Sequence, residues 1–362
     1  MDILAVCPIR ASRTAFFFLA TALLLGIAAC AGATRESAPA PRVDHHQHLL
    51  SPALAKVWGE PEAVAADRLI QLLDEAGIRA AVVLSLAYAW GSPALSPKPA
   101  DEYTAVRAEN DWTAEQAARY PDRLTAVCSV NPLRPYALEE IDRCAADPRL
   151  RNGLKMQFAN SRVNLRDRDH VAQLRRVFAA ANAHKMPILV HVWTGDDQVA
   201  NPFDGRDART FIGEVLPMAP DVTVQIAHLG GSGPRLDPGT EEAMVVLAQA
   251  ASAGAAAMKN VYFDIATNIH PGSPARSREF MAARMRQIGM SRLLYGSDMA
   301  TGDNVVPAEY WGALRDQSGL SSGELQAIAG NIAPYLRAAT APPSAHAAAA
   351  PDAPPASSRS AP

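Results

Sequence analysis

The sequence predicts an α/β fold of the (β/α)8 TIM-barrel class, and three observations carry that expectation. Short apolar, β-branched runs alternate eight times with longer helix-patterned stretches, as repeated βα units and a parallel sheet require. Residues 42–340, the part with globular composition, have the length of one barrel with insertions. A doubly wound open sheet also alternates, but it carries a glycine-rich phosphate loop. None is present: Gly230-Gly231-Ser232-Gly233 follows a strand yet lacks the spacing and the lysine of such a loop.

The chain opens outside the fold. Arg10 and Arg13 precede an apolar run from Ala15 to Ala29, shorter than the ~20 residues a spanning helix needs. Residues 1–29 therefore read as a secretory signal. The run ends in Ile27-Ala28-Ala29-Cys30, which resembles a bacterial lipobox. That resemblance implies an exported, cell-envelope protein held to the membrane by lipid on Cys30. The alternative is a soluble periplasmic protein cut after Ala31 or Ala33. Residues 30–41 form an Ala/Thr/Ser/Pro-rich tether, and residues 341–362, almost wholly Ala, Pro and Ser, are expected to be disordered.

The first strand, Val43 to Leu49, holds Asp44-His45-His46-Gln47-His48. Strict alternation puts Asp44, His46 and His48 on one face and His45 and Gln47 on the other. Two imidazoles at i and i+2 suit a divalent metal such as zinc; the plain alternative is a polar strand end with solvated histidines. A helix over Pro61–Gly77 follows, then a second strand over Ala80–Leu86. A Pro/Ser/Gly-rich loop from Trp90 to Pro99 precedes a helix from Asp101 to Arg119; long mouth loops often shape a substrate pocket.

The third strand, Leu124–Val130, leads through a helix over Tyr136–Ala146 to the fourth, Gly153–Phe158. A helix over Asp169–Lys185 precedes the fifth strand, Pro187–Trp193; another over Asp207–Met218 precedes the sixth, Val222–His228. Helices over Glu241–Ala257 and Pro274–Ile288 flank the seventh strand, Val261–Ala266. The eighth runs from Arg292 to Asp298, and no element is assigned beyond it.

Composition sets the partners. The net charge of −3 and the 49 % hydrophobic content are those of an ordinary globular protein, and no Arg/Lys stripe interleaves with aromatics, so nucleic acid is not expected. A small molecule is the expected partner, with a homo-oligomer left open. Cys7 leaves with the signal, and Cys128 and Cys144 stand open between a disulfide and buried free thiols.

His46, His48, His191, His228 and Asp298 all end strands, and barrel active sites are assembled from the C-terminal strand ends. Each alone has a dull reading as a hydrogen-bonded core group or a turn. Together they predict a metal site.

The opening Asp-x-His-x-His, the histidines in ILVHV and QIAHLGG, LLYGSD, and ENDWTAEQAARYPDRLTAVCSVNP resemble the amidohydrolase superfamily. The closest likeness is to its amidohydrolase-related, aminocarboxymuconate semialdehyde decarboxylase-like branch, over Val43 to Arg337. The resemblance implies one divalent metal, zinc by expectation, on His46, His48, His191 and Asp298. His228 and Asp298 are then the two candidate proton shuttles. Lys155, on the fourth strand, would hold a substrate carboxylate, or in a binuclear version be carboxylated and bridge two ions. Trp193 lines the pocket or the core. Asn131 and Asn268 either bind substrate or form turns, and Asp44 backs the metal ligands. His45 should face the helices, and His184 and His270 are unassigned. The implied activity is hydrolysis of a small ester, lactone or amide by metal-activated water. The alternative is non-oxidative decarboxylation of an unsaturated or aromatic acid.

Overall fold

The computed structural model describes residues 38–195, 203–233, 236–299 and 306–337. The signal, all of the tether before residue 38, and the tail lie outside the described residues, as does Cys30.

Eight parallel strands follow one another round a nearly closed (β/α)8 barrel in sequence order. They are β1 (Val43–Gln47), β2 (Ala80–Leu84), β3 (Leu124–Ser129), β4 (Leu154–Gln157), β5 (Ile188–His191), β6 (Val224–Ile226), β7 (Val261–Asp264) and β8 (Leu293–Leu294). The helices between them are α1 (Pro52–Trp58), α2 (Ala66–Glu75), α3 (Glu102–Ala118), α4 (Ala137–Ala146), α5 (Arg168–Ala183), α6 (Gly205–Thr210), α7 (Pro238–Ser252) and α8 (Ala275–Ile288). Outward-facing strand residues such as Val83, Ala126, Met156, Val190 and Phe263 are buried against this outer layer. Parallel strands covered on both faces explain the near-continuous apolar runs in the sequence.

Several boundaries differ from expectation, each for a local reason. The helix expected over Pro61–Gly77 starts only at Ala66, because Leu50 and Val64 exchange backbone hydrogen bonds (2.9 and 3.1 Å) and hold that stretch extended. An extra helix, α1, precedes it, capped by Ser51, whose hydroxyl accepts from Leu54 N–H at 3.1 Å. Helix α6 runs on through a π turn (Phe211–Val215) and a 3₁₀ turn (Leu216–Met218). Three further helices follow β8: α9 (Pro307–Gln317), α10 (Ser322–Gly330) and α11 (Pro334–Arg337).

The barrel closes between β1 and the end of β8. His45 N–H donates to Tyr295 O (2.8 Å) and Asp298 N–H to His46 O (2.7 Å). A Cβ on Gly296 would lie 2.6 Å from His46 Cβ, so the two chains approach this closely only with glycine there. At the opposite end α11 plugs the barrel: Tyr335 and Leu336 pack against the interior residues Val82, Leu84, Val127 and Leu189.

Cys128 and Cys144 are joined in a disulfide, with Cα atoms 6.2 Å apart, tying β3 to α4. Of the two states the sequence left open, the structure holds the bridge.

Candidate metal centre

Four side chains converge at the C-terminal mouth. His46 Nε2 and His48 Nε2 each lie 3.3 Å from Asp298 Oδ1, and His228 Nε2 lies 3.7 Å from Asp298 Oδ2. The ligand atoms of His46, His48 and Asp298 fall within 4.8 Å of one another. The histidines are buried, and the Asp298 side chain, 24 % exposed, forms the lip of the site.

The other nitrogen of each imidazole fixes its tautomer. His46 Nδ1–H donates to Asp264 Oδ2 (3.0 Å), His48 Nδ1–H to Leu84 O (2.7 Å) and His228 Nδ1–H to Ala266 O (2.7 Å). A carbonyl oxygen can only accept, so for His48 and His228 Nδ1 carries a proton and Nε2 is the nitrogen turned to the site. Imidazole nitrogens that face a carboxylate call for a positive charge between them, a proton or a metal cation. Three imidazoles and one carboxylate fit a divalent ion, with the carboxylate–histidine and carbonyl–histidine supports that metal ligands usually carry.

The backbone is bent to make this arrangement. His228 (φ 54°), Leu229 (φ 56°), Thr267 (φ 53°) and Asp298 (φ 58°) all lie in the left-handed region, at the ends of β6, β7 and β8. Such conformations cost of order 1–3 kcal/mol each and persist where surrounding bonds over-determine them. Here Asp264 Oδ1 accepts from His228 N–H (3.0 Å), and the Asn268 amide donates to His228 O (3.1 Å). The expected sixth strand to His228 accordingly stops at Ile226, and the eighth stops at Leu294.

Asp264 is the residue of this cluster that sequence reasoning missed. It ends β7, is fully buried, and accepts from His46, from His228 N–H and from Gln225 Nε2 (2.8 Å). Its signal was a carboxylate inside the apolar run Val261-Tyr262-Phe263-Asp264-Ile265. Burial pushes its carboxyl up, but the charge and hydrogen bond of His46, with His228, outweigh that and hold it below the ordinary range. Asp298 behaves likewise: burial opposes ionisation, and the imidazoles of His46, His48 and His228 overcome it. Burial, with the charge of Lys155, lowers His46 to about 4 against the pull of Asp298 and Asp264.

Strict alternation fails in β1. The register shifts between Asp44 and Gln47, and the two side chains, expected on opposite faces, hydrogen-bond to each other at 2.8 Å. Asp44 also accepts from Ser297 Oγ (2.6 Å) and Ser297 N–H (3.1 Å), so it braces the seam beneath Asp298. Burial raises its carboxyl to about 6, against these hydrogen bonds. His45 is buried in the seam rather than among the outer helices: Nδ1–H donates to Tyr295 O (3.0 Å) and Nε2 accepts from Ala333 N–H (3.1 Å).

Lys155 and His191 also reach the mouth, in a different state. Lys155 Nζ lies 3.1 Å from His46 Nε2, and burial lowers its ammonium to about 8 despite Asp298 and Asp264. His191 Nε2–H donates to Gly231 O (3.1 Å) while Nδ1 accepts from Gln157 Nε2 (3.3 Å), leaving neither nitrogen aimed at Asp298. Its ring sits 4.5 Å from that of His228 and 6.2 Å from that of Trp193, which donates to Thr240 Oγ1 (3.1 Å). Asn131 donates to Gly91 O (2.7 Å) and accepts from Leu133 N–H (2.9 Å), and Asn268 holds His228; both shape backbone. His184 pairs with Asp142 and His270 bonds Pro271 O, both away from the site.

One carboxylate links the neighbouring loops. Glu109 Oε2 accepts from Ser51 Oγ (2.6 Å), three residues past His48, and from Trp90 Nε1 (3.2 Å). Burial raises its carboxyl to about 7.

Comparison with known proteins agrees with the fold. A family model described as amidohydrolase matches residues 43–333. No curated protein matches the chain. Among solved structures, the chain is similar to a zinc-bound amidohydrolase from Burkholderia multivorans (17 % identity, TM-score 0.53, covering 80 % of this chain and 96 % of that one). It is similar to a manganese-bound 5-carboxyvanillate decarboxylase from Novosphingobium aromaticivorans (16 %, TM-score 0.54, 81 % and 94 %). A probable 2-pyrone-4,6-dicarboxylic acid hydrolase from Acinetobacter baumannii is a third (15 %, TM-score 0.50, 79 % and 95 %). At these identities the likeness speaks for the fold.

Proposed function

This chain belongs to the amidohydrolase family, and from that premise we propose that it is a metal-dependent hydrolase of a small ester, lactone or amide bearing a carboxylate. The observation that carries the reading is the set of Nε2 atoms of His46, His48 and His228 turned toward Asp298, each with its Nδ1 proton engaged elsewhere. His46, His48 and Asp298 would hold one zinc ion, and His191 would join them on leaving Gly231 O. When bound, the ion polarises a carbonyl oxygen and brings the pKa of water close to neutrality.

The chain's own groups do the rest. His228 Nε2 takes the proton from the attacking water; Ala266 O holds the ring through Nδ1–H, and Asp264 holds the His228 backbone N–H. Asp298, with a carboxylate oxygen toward each side, orients that water and is the second proton acceptor. Lys155 is close enough to His46 to lie beside the reacting centre, where its ammonium holds the substrate carboxylate. An unmodified Lys155 and a single ion make the simpler site. Trp193, over His191, walls the pocket.

The position of Lys155 also favours a second reading, non-oxidative decarboxylation, since a carboxylate held there would be the group released. A metal count on purified protein, followed by a panel of lactones, esters, amides and unsaturated or aromatic acids, separates the two. Hydrolysis products without carbon dioxide are expected; carbon dioxide alone would replace hydrolysis by decarboxylation.

We place the protein in the cell envelope, anchored by lipid on Cys30. The Cys128–Cys144 disulfide supports export, because such bonds persist in oxidising compartments. The variant Cys30→Ser should move the protein from the membrane fraction to the soluble one.

A further inference from the structure

We infer that Tyr335, on the helix that plugs the far end of the barrel, is a positioning residue for the metal ligand His46, acting through a hydrogen-bonded chain along the barrel interior. The inference rests on the reading of His46 as a ligand.

The chain has three links. Tyr335 O–H donates to Gln225 Oε1 at 2.7 Å. Gln225 Nε2 donates to Asp264 Oδ2 at 2.8 Å and to His45 O at 3.1 Å. Asp264 Oδ2 accepts the His46 Nδ1 proton at 3.0 Å. Gln225 and Asp264 are buried at or below 1 % exposure, so water does not replace a lost partner.

The direction of each link matters. Asp264 and the His45 carbonyl only accept, so the Gln225 amide must present its nitrogen to them and its oxygen to Tyr335. The phenol is the donor that rewards this orientation. Without it the buried amide oxygen is left unpartnered, and a flipped amide would set oxygen against the Asp264 carboxylate. Either result loosens the carboxylate that fixes the His46 ring. A parallel link, Ala333 N–H to His45 Nε2 (3.1 Å), ties the same terminal segment to the residue beside His46. Linked bonds of this kind in a low-dielectric interior reinforce one another.

Zinc affinity, read by competition with a chelator, tests this on the full chain. Tyr335→Phe, which removes one oxygen, should weaken zinc binding roughly three- to tenfold, less than the 10–100-fold typical of a ligand's direct partner. Gln225→Met interrupts the next link and should weaken it further; in that background Tyr335→Phe should have no added effect. Leu336→Ala, which trims apolar packing against Val82, Leu84, Val127 and Leu189, should lower the melting temperature and leave affinity unchanged. Native affinity in Tyr335→Phe, additive effects of the two changes, or an equal loss in Leu336→Ala would each overturn the inference. If the unaltered protein binds no zinc, the metal reading itself has failed, which is a separate result.

Discussion

The mouth of the barrel has two unlike halves. On the β1, β6 and β8 side, His46, His48 and His228 carry their protons on Nδ1, each bonded to a fixed acceptor, and turn Nε2 toward Asp298. On the β4 and β5 side, His191 is the opposite tautomer, with its Nε2 proton given to Gly231 O, and Lys155 directs its ammonium at His46. One half is locked into ligand geometry by its supports. The other is held by bonds it would have to exchange to meet a metal or a substrate. A strand-end histidine is therefore made a ready ligand by what grips its far nitrogen, and its position alone does not decide the matter.

The comparison can be broken outright by removing the locked half. His46→Ala or Asp298→Ala should abolish metal binding, a loss well beyond the roughly 100-fold that outer partners cause. Retained metal in either variant, measured by elemental analysis, would mean that the centre lies elsewhere.

A sharper test sets a support against a ligand. Asp264→Asn should cost about 10–100-fold in metal affinity, because the His46 ring loses its anchoring carboxylate. His191→Ala should cost less, about tenfold or below, since its ring must first give up its bonds to Gly231 and Gln157. Calorimetric titration of both variants decides the order, and a larger loss in His191→Ala would show that the two halves are equally prepared.

An effect on stability and not on affinity concerns Glu109, which ties Ser51 and Trp90 beside the locked half. Its carboxyl binds a proton more tightly folded than unfolded, so the stability it contributes is full below pH 4.5 and is lost as pH rises through about 7. The whole swing is at most about 3 kcal/mol. In thermal melts from about pH 5 to about pH 8, the native protein should lose stability relative to Glu109→Gln as pH rises, the difference between the curves being the Glu109 contribution. Parallel curves would remove Glu109 from the account.

Much of this was legible in the sequence, and the boundary between legible and hidden is physical. Strand order and count were readable because buried parallel strands are written as apolar runs. His46, His48, His228 and Asp298 were readable because polar residues closing such runs are conspicuous. Asp264 was not, since one carboxylate within Val261–Ile265 looks like strand composition until its four donors are seen. The shift in β1 was hidden as well. It depends on Gly296 and Ser297, some 250 residues away, and alternation is a local rule. The helices after β8 carry ordinary amphipathic sequence, and nothing in Pro334–Arg337 announces a plug. The state of Cys128 and Cys144 waited on whether β3 and α4 bring them together.

The seam between β1 and β8 has a kinetic consequence. Asp44 meets Ser297 across 253 positions, and His45 meets Tyr295 across 250. Contacts of such long range form late and slow the search for the native state. The barrel cannot shut while a ribosome still holds the eighth strand, so the nascent chain remains open over most of its synthesis. A chain that must thread a translocation pore before it folds would gain from that delay. Moving the break elsewhere, by joining the native ends and opening a loop between β4 and β5, would make the present seam local and let closure begin early.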